Sequence, residues 1–256
     1  MANTLIASYL GQGLYAARPA TPTLDTGCIG FYYATDHSQM YVYANSVWSI
    51  VGGGGASPFS PPLAATFPTI INTGAGSPSA AVVDTPTGMQ FSSGPVAAGD
   101  SFRAAYKTII SATVFTVILG MRITMAPVTY RNCGLWLTDG TKHLGINMMF
   151  DGGGYIMHVT SMTNGTTFGA NLYSSAGGVP FGGGDIFFKV TSDATTLKFF
   201  YSQDGQSWVE VYHELLANTL STITKWGVGC DANGTTGMTV TDTIYATVFY
   251  EVETNP

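Results

Sequence analysis

From residue 80 onward the sequence is a succession of twelve short β-prone runs parted by glycine-rich turns. They are GMQFSS (88–93), FRAAYKTII (102–110), TVFTVILGMRITM (113–125), CGLWLTD (133–139), HLGINMMF (143–150) and YIMHVTSM (155–162). Then follow FGANLYS (168–174), DIFFKVTSD (185–193), TLKFFYSQD (196–204), SWVEVYHE (207–214), WGVGCDA (226–232) and MTVTDTIYATVFYEV (238–252). β-Branched and aromatic side chains suit a half-buried pleated surface better than a helix. Strands this short and evenly spaced can bury their apolar faces only by stacking two sheets, so the fold class is all-β, a jelly-roll β-sandwich. The longest apolar run, IISATVFTVILGM at 109–121, is shorter than the roughly 20 residues a membrane-crossing helix needs, and it reads as one or two buried strands. The single expected helical turn lies in HELLANTLSTIT (213–224), with Asn218 and Ser221 as caps. No repeat of 20–50 residues and no heptad is present.

The composition narrows the function classes. The chain has 256 residues, enough for one large all-β domain or two smaller ones, and 45% hydrophobic residues can fill a core. Only 9% of residues are charged, against roughly 25% in an ordinary soluble domain. The solvent face must then be built from Thr, Ser, Asn and Gly, a weakly self-repelling surface that favours lasting contact with neighbouring subunits. The net charge of −6 with no basic run argues against nucleic acid, because phosphate binding draws on clustered Lys and Arg. The first basic residue is Arg18, so no signal peptide is expected, and no membrane insertion. Cys28, Cys133 and Cys230 are widely spaced and odd in number, which disfavours a disulfide framework and suits buried thiols in a reducing compartment.

The first third of the chain is organised differently. Residues 1–18 place Leu5, Ile6, Tyr9, Leu10 and Leu14 near helical spacing but are interrupted by Gly11 and Gly13, which allows one short helix or an arm. Pro19 and Pro22 enforce an extended path. Residues 31–51, FYYATDHSQMYVYANSVWSIV, alternate aromatic and polar residues across two polar turns and read as a three-stranded β-meander. Tyr33, Tyr41, Tyr43 and Trp48 are amphipathic rings suited to a docking surface, and they are the candidate partner-binding residues. After Val51 come four glycines and then several prolines, a linker over 52–79 whose apolar residues are expected to lie on a surface. The expected organisation is therefore an anchoring segment over 1–51, a linker over 52–79 and a sandwich over 80–256.

The catalytic motifs fail one by one. Glycosidases of sandwich architecture need two carboxylates about 5 Å apart for retention, usually displayed from one strand. Here Glu occurs only at 210, 214, 251 and 253, and no strand carries such a pair. Asp139, Asp151, Asp185, Asp204 and Asp231 sit in or beside loops, but no loop gathers several and Asp-Gly is a common turn pair, so a calcium ion could be held only by convergence of distant loops. His37, His143, His158 and His213 show no metal-ligand spacing, so no metal and no cofactor is expected. There is no GxSxG, and the glycine strings lack the context of a phosphate loop. The chain is expected not to be an enzyme. Aromatic faces remain as binding chemistry, since sugar rings stack on Trp and Tyr, and the candidate ligand-binding residues are Trp136, Tyr155, Tyr173 and Trp208. The loop GGVPFGGGD (177–185) is expected at one end of the sandwich, where such folds place binding surfaces.

Two resemblances add to this reading. YSQDGQSW (201–208), with Asp204-Gly205 as its turn and Trp208 expected to face the core, together with GLWLTDG (134–140) and the closing strand TDTIYATVFYEV, resembles concanavalin-like sandwich domains of lectin, laminin-G-like and glycosidase-associated modules. It covers about residues 85–253. The segment Gly27–Val51, with Tyr33-Ala34-Thr35-Asp36, Met40-Tyr41-Val42-Tyr43 and Val47-Trp48, resembles a motif of tailed-bacteriophage structural proteins. Met40 stands where leucine is usual and Ala44-Asn45-Ser46 replaces an Asp-Gly-type turn. The second resemblance implies a virion protein assembled in the host cytoplasm, a capsid decoration or head fibre, or a tail appendage. Its implied partners are capsid or tail subunits and further copies of itself as a homotrimer; the alternative reading is a carbohydrate-binding adhesion module whose loops at one end of the sandwich recognise a host glycan.

Overall fold

The computed structural model describes residues 61–73, 79–94, 99–175, 184–232 and 243–255, and the backbone of 6–13, 28–34, 39–44 and 47–50. The chain forms two compact units, Met1–Ser60 and Pro61–Pro256. The first holds one sheet of four strands, β1 (Ile6–Gly13), β2 (Cys28–Ala34), β3 (Gln39–Ala44) and β4 (Val47–Ile50), in that order. Strands β2, β3 and β4 are antiparallel, as the expected meander requires. The helix or arm expected near the N-terminus is instead β1, paired parallel to β2 with an irregularity between Tyr9 and Gln12. Glycines at 11 and 13 break a helix more readily than they break an edge strand.

The second unit is a two-sheet sandwich. One sheet runs in the order β13-β12-β11-β10-β17-β8-β5 and uses β5 (Thr69–Asn72), β8 (Phe102–Thr108), β10 (Asn132–Thr138), β11 (His143–Phe150), β12 (Tyr155–Asn164), β13 (Thr167–Ser174) and β17 (Lys225–Asp231). The other runs β16-β15-β14-β9-β18-β7-β6, from β6 (Ala81–Thr85), β7 (Gly88–Ser93), β9 (Val114–Thr124), β14 (Ile186–Asp193), β15 (Thr196–Ser202), β16 (Val209–Leu215) and β18 (Ile244–Thr254). All ladders within both sheets are antiparallel. Strand β18 lies between β7 and β9, in the body of its sheet. The all-β jelly-roll class read from the sequence is the class of the structure.

Period-2 alternation builds the core. Leu135 and Leu137, Leu144 and Ile146, and Val228 face Val117, Leu119, Phe188, Val190 and Phe199 of the other sheet, all fully buried. The apolar run at 109–121 becomes one strand, β9, whose Phe115, Val117, Leu119 and Met121 point inward. The expected helix contracts to α1 (Leu216–Thr219), because Val209–Leu215 is spent in β16. Neither Asn218 nor Ser221 caps it, since the N-cap is Leu215 without a side-chain bond.

The linker expected over 52–79 ends sooner than its proline content suggests. Residues 61–73 belong to the sandwich: Phe67 is wholly buried with its ring edge-on to Trp226 at 6.1 Å, and β5 pairs with β8. Prolines at 61, 62 and 68 flank these elements without interrupting a ladder.

The sheet containing β12 and β8 is strongly curled. Four strand spacings of about 4.8 Å separate β12 from β8 in a flat sheet, yet the Phe102 N–H donates to the Gly165 carbonyl, 2.9 Å away, at the β12–β13 turn. Thr73 Oγ1 donates to the same carbonyl at 2.5 Å and also to the Phe102 carbonyl. The β12–β13 ladder carries three register irregularities, the device by which strands bend. Curling buries the sheet's outer face as well: Phe102, Ala104, Tyr106, Trp136 and Met162 form a second apolar cluster there. Gly145, opposite Trp136, is required for this, since a Cβ at that position would sit 2.4 Å from Trp136 Cδ2.

Replacing Phe67 with alanine is expected to cost about 3–5 kcal/mol, the usual loss for a buried aromatic. Urea unfolding of the full chain checks this. A loss below about 1 kcal/mol would place Phe67 on a surface linker after all.

Candidate functional site

The concave face of the curled sheet carries its polar groups in rows set by register. Asp231, Asn132 and Met149 form one row across β17, β10 and β11; Asn147 and His158 form the next across β11 and β12. Gly145, Thr160 and Asn171 make a third. At the end of this face nearest Asn132 lies a cleft of about 380 Å³. Its floor is Asn132, His158, Thr160 and Asp231, its wall Met149, Met162 and Asn171, and its mouth Asp100, Tyr130 and Phe168.

The cleft is held open by bonds that use up the backbone around it. The Phe168 N–H donates to Asp100 Oδ2 at 3.1 Å, the Ser101 N–H to Asp231 Oδ1 at 2.8 Å, and the Asp231 N–H to Asn132 Oδ1 at 3.1 Å. Thr160 Oγ1 donates to the Ala170 carbonyl at 3.0 Å and Asn171 Nδ2 to Ser174 Oγ at 2.9 Å. Both carboxylates therefore help to position backbone. Tyr130 is 61% exposed and sits at φ 69°, a left-handed conformation that a residue with a Cβ enters only at a cost of order 1 kcal/mol. Its N–H is held by the Phe150 carbonyl at 2.7 Å.

His158 is the unusual member. It is 3% exposed, and its side-chain hydrogen bond with Asn171 falls short of full geometry. Burial lowers its pKa to about 4, with Asn171 opposing the shift, so the ring is neutral at pH 7. A buried polar atom left unmet costs about 1–3 kcal/mol. Asn147 Oδ1, directly across the ladder, is unmet. Deeper on the same face His143 is satisfied: its Nδ1 shares a 3.1 Å hydrogen bond with the Tyr106 hydroxyl, and its ring stacks on Phe102 at 4.1 Å. Burial lowers its pKa too, to about 4, against an opposing pull from Asp139.

The four aromatics singled out from the sequence as ligand platforms do not converge. Trp136 is wholly buried under Phe102, their rings 4.8 Å apart, so it presents no face to a sugar. Tyr155 packs edge-on to Phe150 and donates its hydroxyl to the Met125 carbonyl at 2.6 Å, beside a smaller cavity shared with Ile123 and Ile186. Tyr173 is half-buried against the main core. Trp208 was expected in the inter-sheet core, but it lies on the outer face of the other sheet, where the Lys189 ammonium sits 4.2 Å over its ring. Trp226 fills the core position instead. By backbone register Tyr41, Tyr43 and Trp48 occupy positions of one face of the first unit's sheet and Tyr33 a position of the other. Their side chains, and the loop expected over 177–185 up to residue 183, lie outside the described residues.

The cleft residues themselves were missed, apart from Asp231, which drew notice only as a loop aspartate, and His158, only as a scattered histidine. A signal was present: in YIMHVTSM, His158 and Thr160 alternate with Met157 and Val159, which marks a strand whose second face is polar yet covered. None of the four glutamates lines the cleft. Glu210 pairs with His213 and Glu214 bonds Tyr212 and Thr219, while Glu251 and Glu253 engage Lys107 and Trp226. Among the described residues no three His, Cys, Asp or Glu side chains gather to hold a metal ion, and no helix is long and apolar enough to cross a membrane.

No protein-family model matches the chain, and no curated protein matches it. Solved structures do. A functionally unknown protein from Saccharomyces cerevisiae aligns at TM-score 0.54 and 12% identity over 76% of this chain and 98% of its own. The GH43 protein BlXynB from Bacillus licheniformis aligns at 0.52 and 10% identity over 93% of this chain, which spans only 56% of that protein. The exoplasmic/lumenal domain of VIP36 in its Ca2+-bound form aligns at 0.49 and 9% identity, over 78% of this chain and 88% of its own. At these identities the likeness is one of fold alone, a β-sandwich.

The two buried imidazoles set a pH dependence. Unfolded, each takes a proton near 6.5; folded, only near 4. The unfolded chain binds more protons between those values, so stability is expected to fall as pH drops from about 6.5 to about 4. Melting curves at successive pH values check this, and a variant with His143→Gln and His158→Gln is expected to flatten the slope.

Proposed function

We propose that this chain is a non-enzymatic virion component, a capsid decoration, head fibre or tail appendage of a tailed bacteriophage, whose sandwich binds a surface saccharide. The observation that carries the binding half is the concave-face cleft. Its floor offers Asn132, Thr160 and His158, and its mouth the aromatic faces of Tyr130 and Phe168, 61% and 44% exposed. Polar floor and aromatic rim match a sugar, which has hydroxyls at its edge and C–H groups on its face. The absence of a cation among the lining residues disfavours phosphorylated ligands.

The virion half rests on the motif over Gly27–Val51 and on the low charge of the chain. The first unit serves as the anchor to capsid or tail subunits, and the sandwich faces outward. An anchor made of strands can extend a neighbour's sheet, because an unpaired strand edge presents a row of backbone donors and acceptors. Assembly as a homotrimer is part of this reading and follows from the resemblance to virion fibres and decorations. The non-catalytic reading is supported by the placement of every glutamate away from the cleft and by the backbone bonds that occupy Asp100 and Asp231.

Two measurements test the two halves separately. Removing residues 1–51 is expected to abolish incorporation into particles while the sandwich still folds; undiminished incorporation overturns the anchoring role. On a glycan array, the full chain is expected to bind saturably, and Tyr130→Gly to weaken that binding about tenfold without lowering the melting temperature, because glycine accepts the left-handed backbone that tyrosine resists. Turnover of a polysaccharide by the purified protein would overturn the non-enzymatic assignment.

A further inference from the structure

Register brings together two cysteines that lie far apart in the sequence. Cys133 of β10 stands directly opposite Cys230 of β17, both thiols are free, and both residues are wholly buried. The two side chains share a face, since both belong to the main core together with Leu135, Leu137 and Val228 of the same strands. Hydrogen-bond directions fix the kind of pair. The Ala232 N–H donates to the Ser101 carbonyl on the β8 side, whereas the Asp231 N–H donates to Asn132 Oδ1 on the β10 side. Amides alternate along a strand, so the Cys230 N–H points to β8 and Cys133–Cys230 is a non-hydrogen-bonded pair of the β10–β17 ladder. At such a pair the Cα atoms stand about 4.5 Å apart with the side chains closer than at the alternate sites, inside the roughly 4.4–6.8 Å that a disulfide spans. One buried cysteine serves as a small apolar residue, but two set opposite each other at the closer kind of pair can be joined without moving either strand.

We infer that Cys133 and Cys230 are a disulfide site, closed by exchange with a small disulfide oxidant, and that the bond staples β10 to β17 in the middle of their sheet. The saccharide and virion readings play no part in it. Burial holds both thiols protonated in the folded chain, pushing Cys230 up to about 12 and raising Cys133 well above its ordinary value. Asp231 adds to the rise at Cys230, while the Ser93 hydroxyl and the guanidinium groups of Arg103 and Arg131 oppose it, so Cys230 is the readier to ionise. Exchange therefore runs when the strands open and a thiolate forms. The Cys230 thiolate attacks one sulfur of the oxidant, breaking its S–S bond and releasing one thiol. The Cys133 thiolate then attacks Cys230 Sγ in the mixed disulfide and releases the second. One S–S bond breaks and one forms; the two cysteine protons pass to the released thiols, the cysteines are oxidised and the oxidant is reduced. The closed loop holds β11 to β16, about a hundred residues, and so removes freedom from the unfolded chain. Its two ends adjoin Asn132 and Asp231 in the floor of the cleft.

The test uses the full chain with Cys28→Ser, dilute and in urea near its unfolding midpoint, where both thiols are exposed part of the time, with oxidised glutathione as the oxidant. After return to buffer, intact mass is expected to show the loss of two hydrogen atoms, and peptide mapping to join Cys133 to Cys230. The melting temperature is expected to stand roughly 5 °C or more above that of the reduced chain, and reduction in urea to bring it back. Cys133→Ala and Cys230→Ala, each in the same background, are expected to lose both the internal bond and the rise. Two cysteines that serve only as core packing would give a different product, with both thiols free or with glutathione retained on one of them. Either product overturns the site, as does a bond between two chains in place of the internal one, or an internal bond that leaves the melting temperature unraised.

Discussion

The larger unit depends on a closure between backbones far apart in its sheet, the hydrogen bond from the Phe102 N–H to the Gly165 carbonyl. It fixes the curl of the seven-stranded sheet, and the curl decides what each face can be. A flat sheet of this sequence would leave Trp136, Tyr106 and Phe102 in water. Curled, the same rings stack into a second apolar layer with His143, and the polar residues at the end of the same rows are left lining a cleft. The binding surface is thus a by-product of how the outer face is packed.

That arrangement divides the concave face into two territories with opposite electrostatic logic. Toward the Thr138 end, His143 is satisfied by Tyr106 and walled by aromatic rings, so its imidazole is part of the packing. Toward the Asn132 end, His158 has comparable burial and a comparable lowering of pKa, but its hydrogen bond is a looser one to Asn171, beside a cavity. Two histidines with the same burial thus have different meanings, and the hydrogen-bond census around them separates the two.

The fold class was legible because strand periodicity and glycine-rich turns are local signals, and the eleven expected runs from Gly88 to Ala232 all became strands within a few residues of their expected limits. What escaped was whatever depended on distant partners. Strand β5 follows a proline-rich stretch and exists because β8 offers it an edge. Strand β1 carries glycines and is defined by its parallel partner β2. The candidate aromatics failed for a related reason: a ring in a strand can face the core, the outer layer or water, and only sheet curvature sorts them. Trp136, Trp208 and Trp226 took three different environments from similar local sequence. The cleft was hardest of all, since Asp100, Tyr130, His158 and Asp231 come together across more than a hundred residues.

The place of β18 has a consequence for how the chain acquires this form. It sits between β7 and β9, while its glutamates reach across to Lys107 and Trp226 of the facing sheet. Until residues 244–254 have left the ribosome, the hairpin of β6 and β7 has no neighbour to join, and the second sheet stands divided. Its last piece is also its keystone, so during synthesis the nascent sandwich must carry an open seam. Such a seam offers unpaired edges to any other nascent copy nearby, and the interval before it closes is when crossed pairing between copies is easiest.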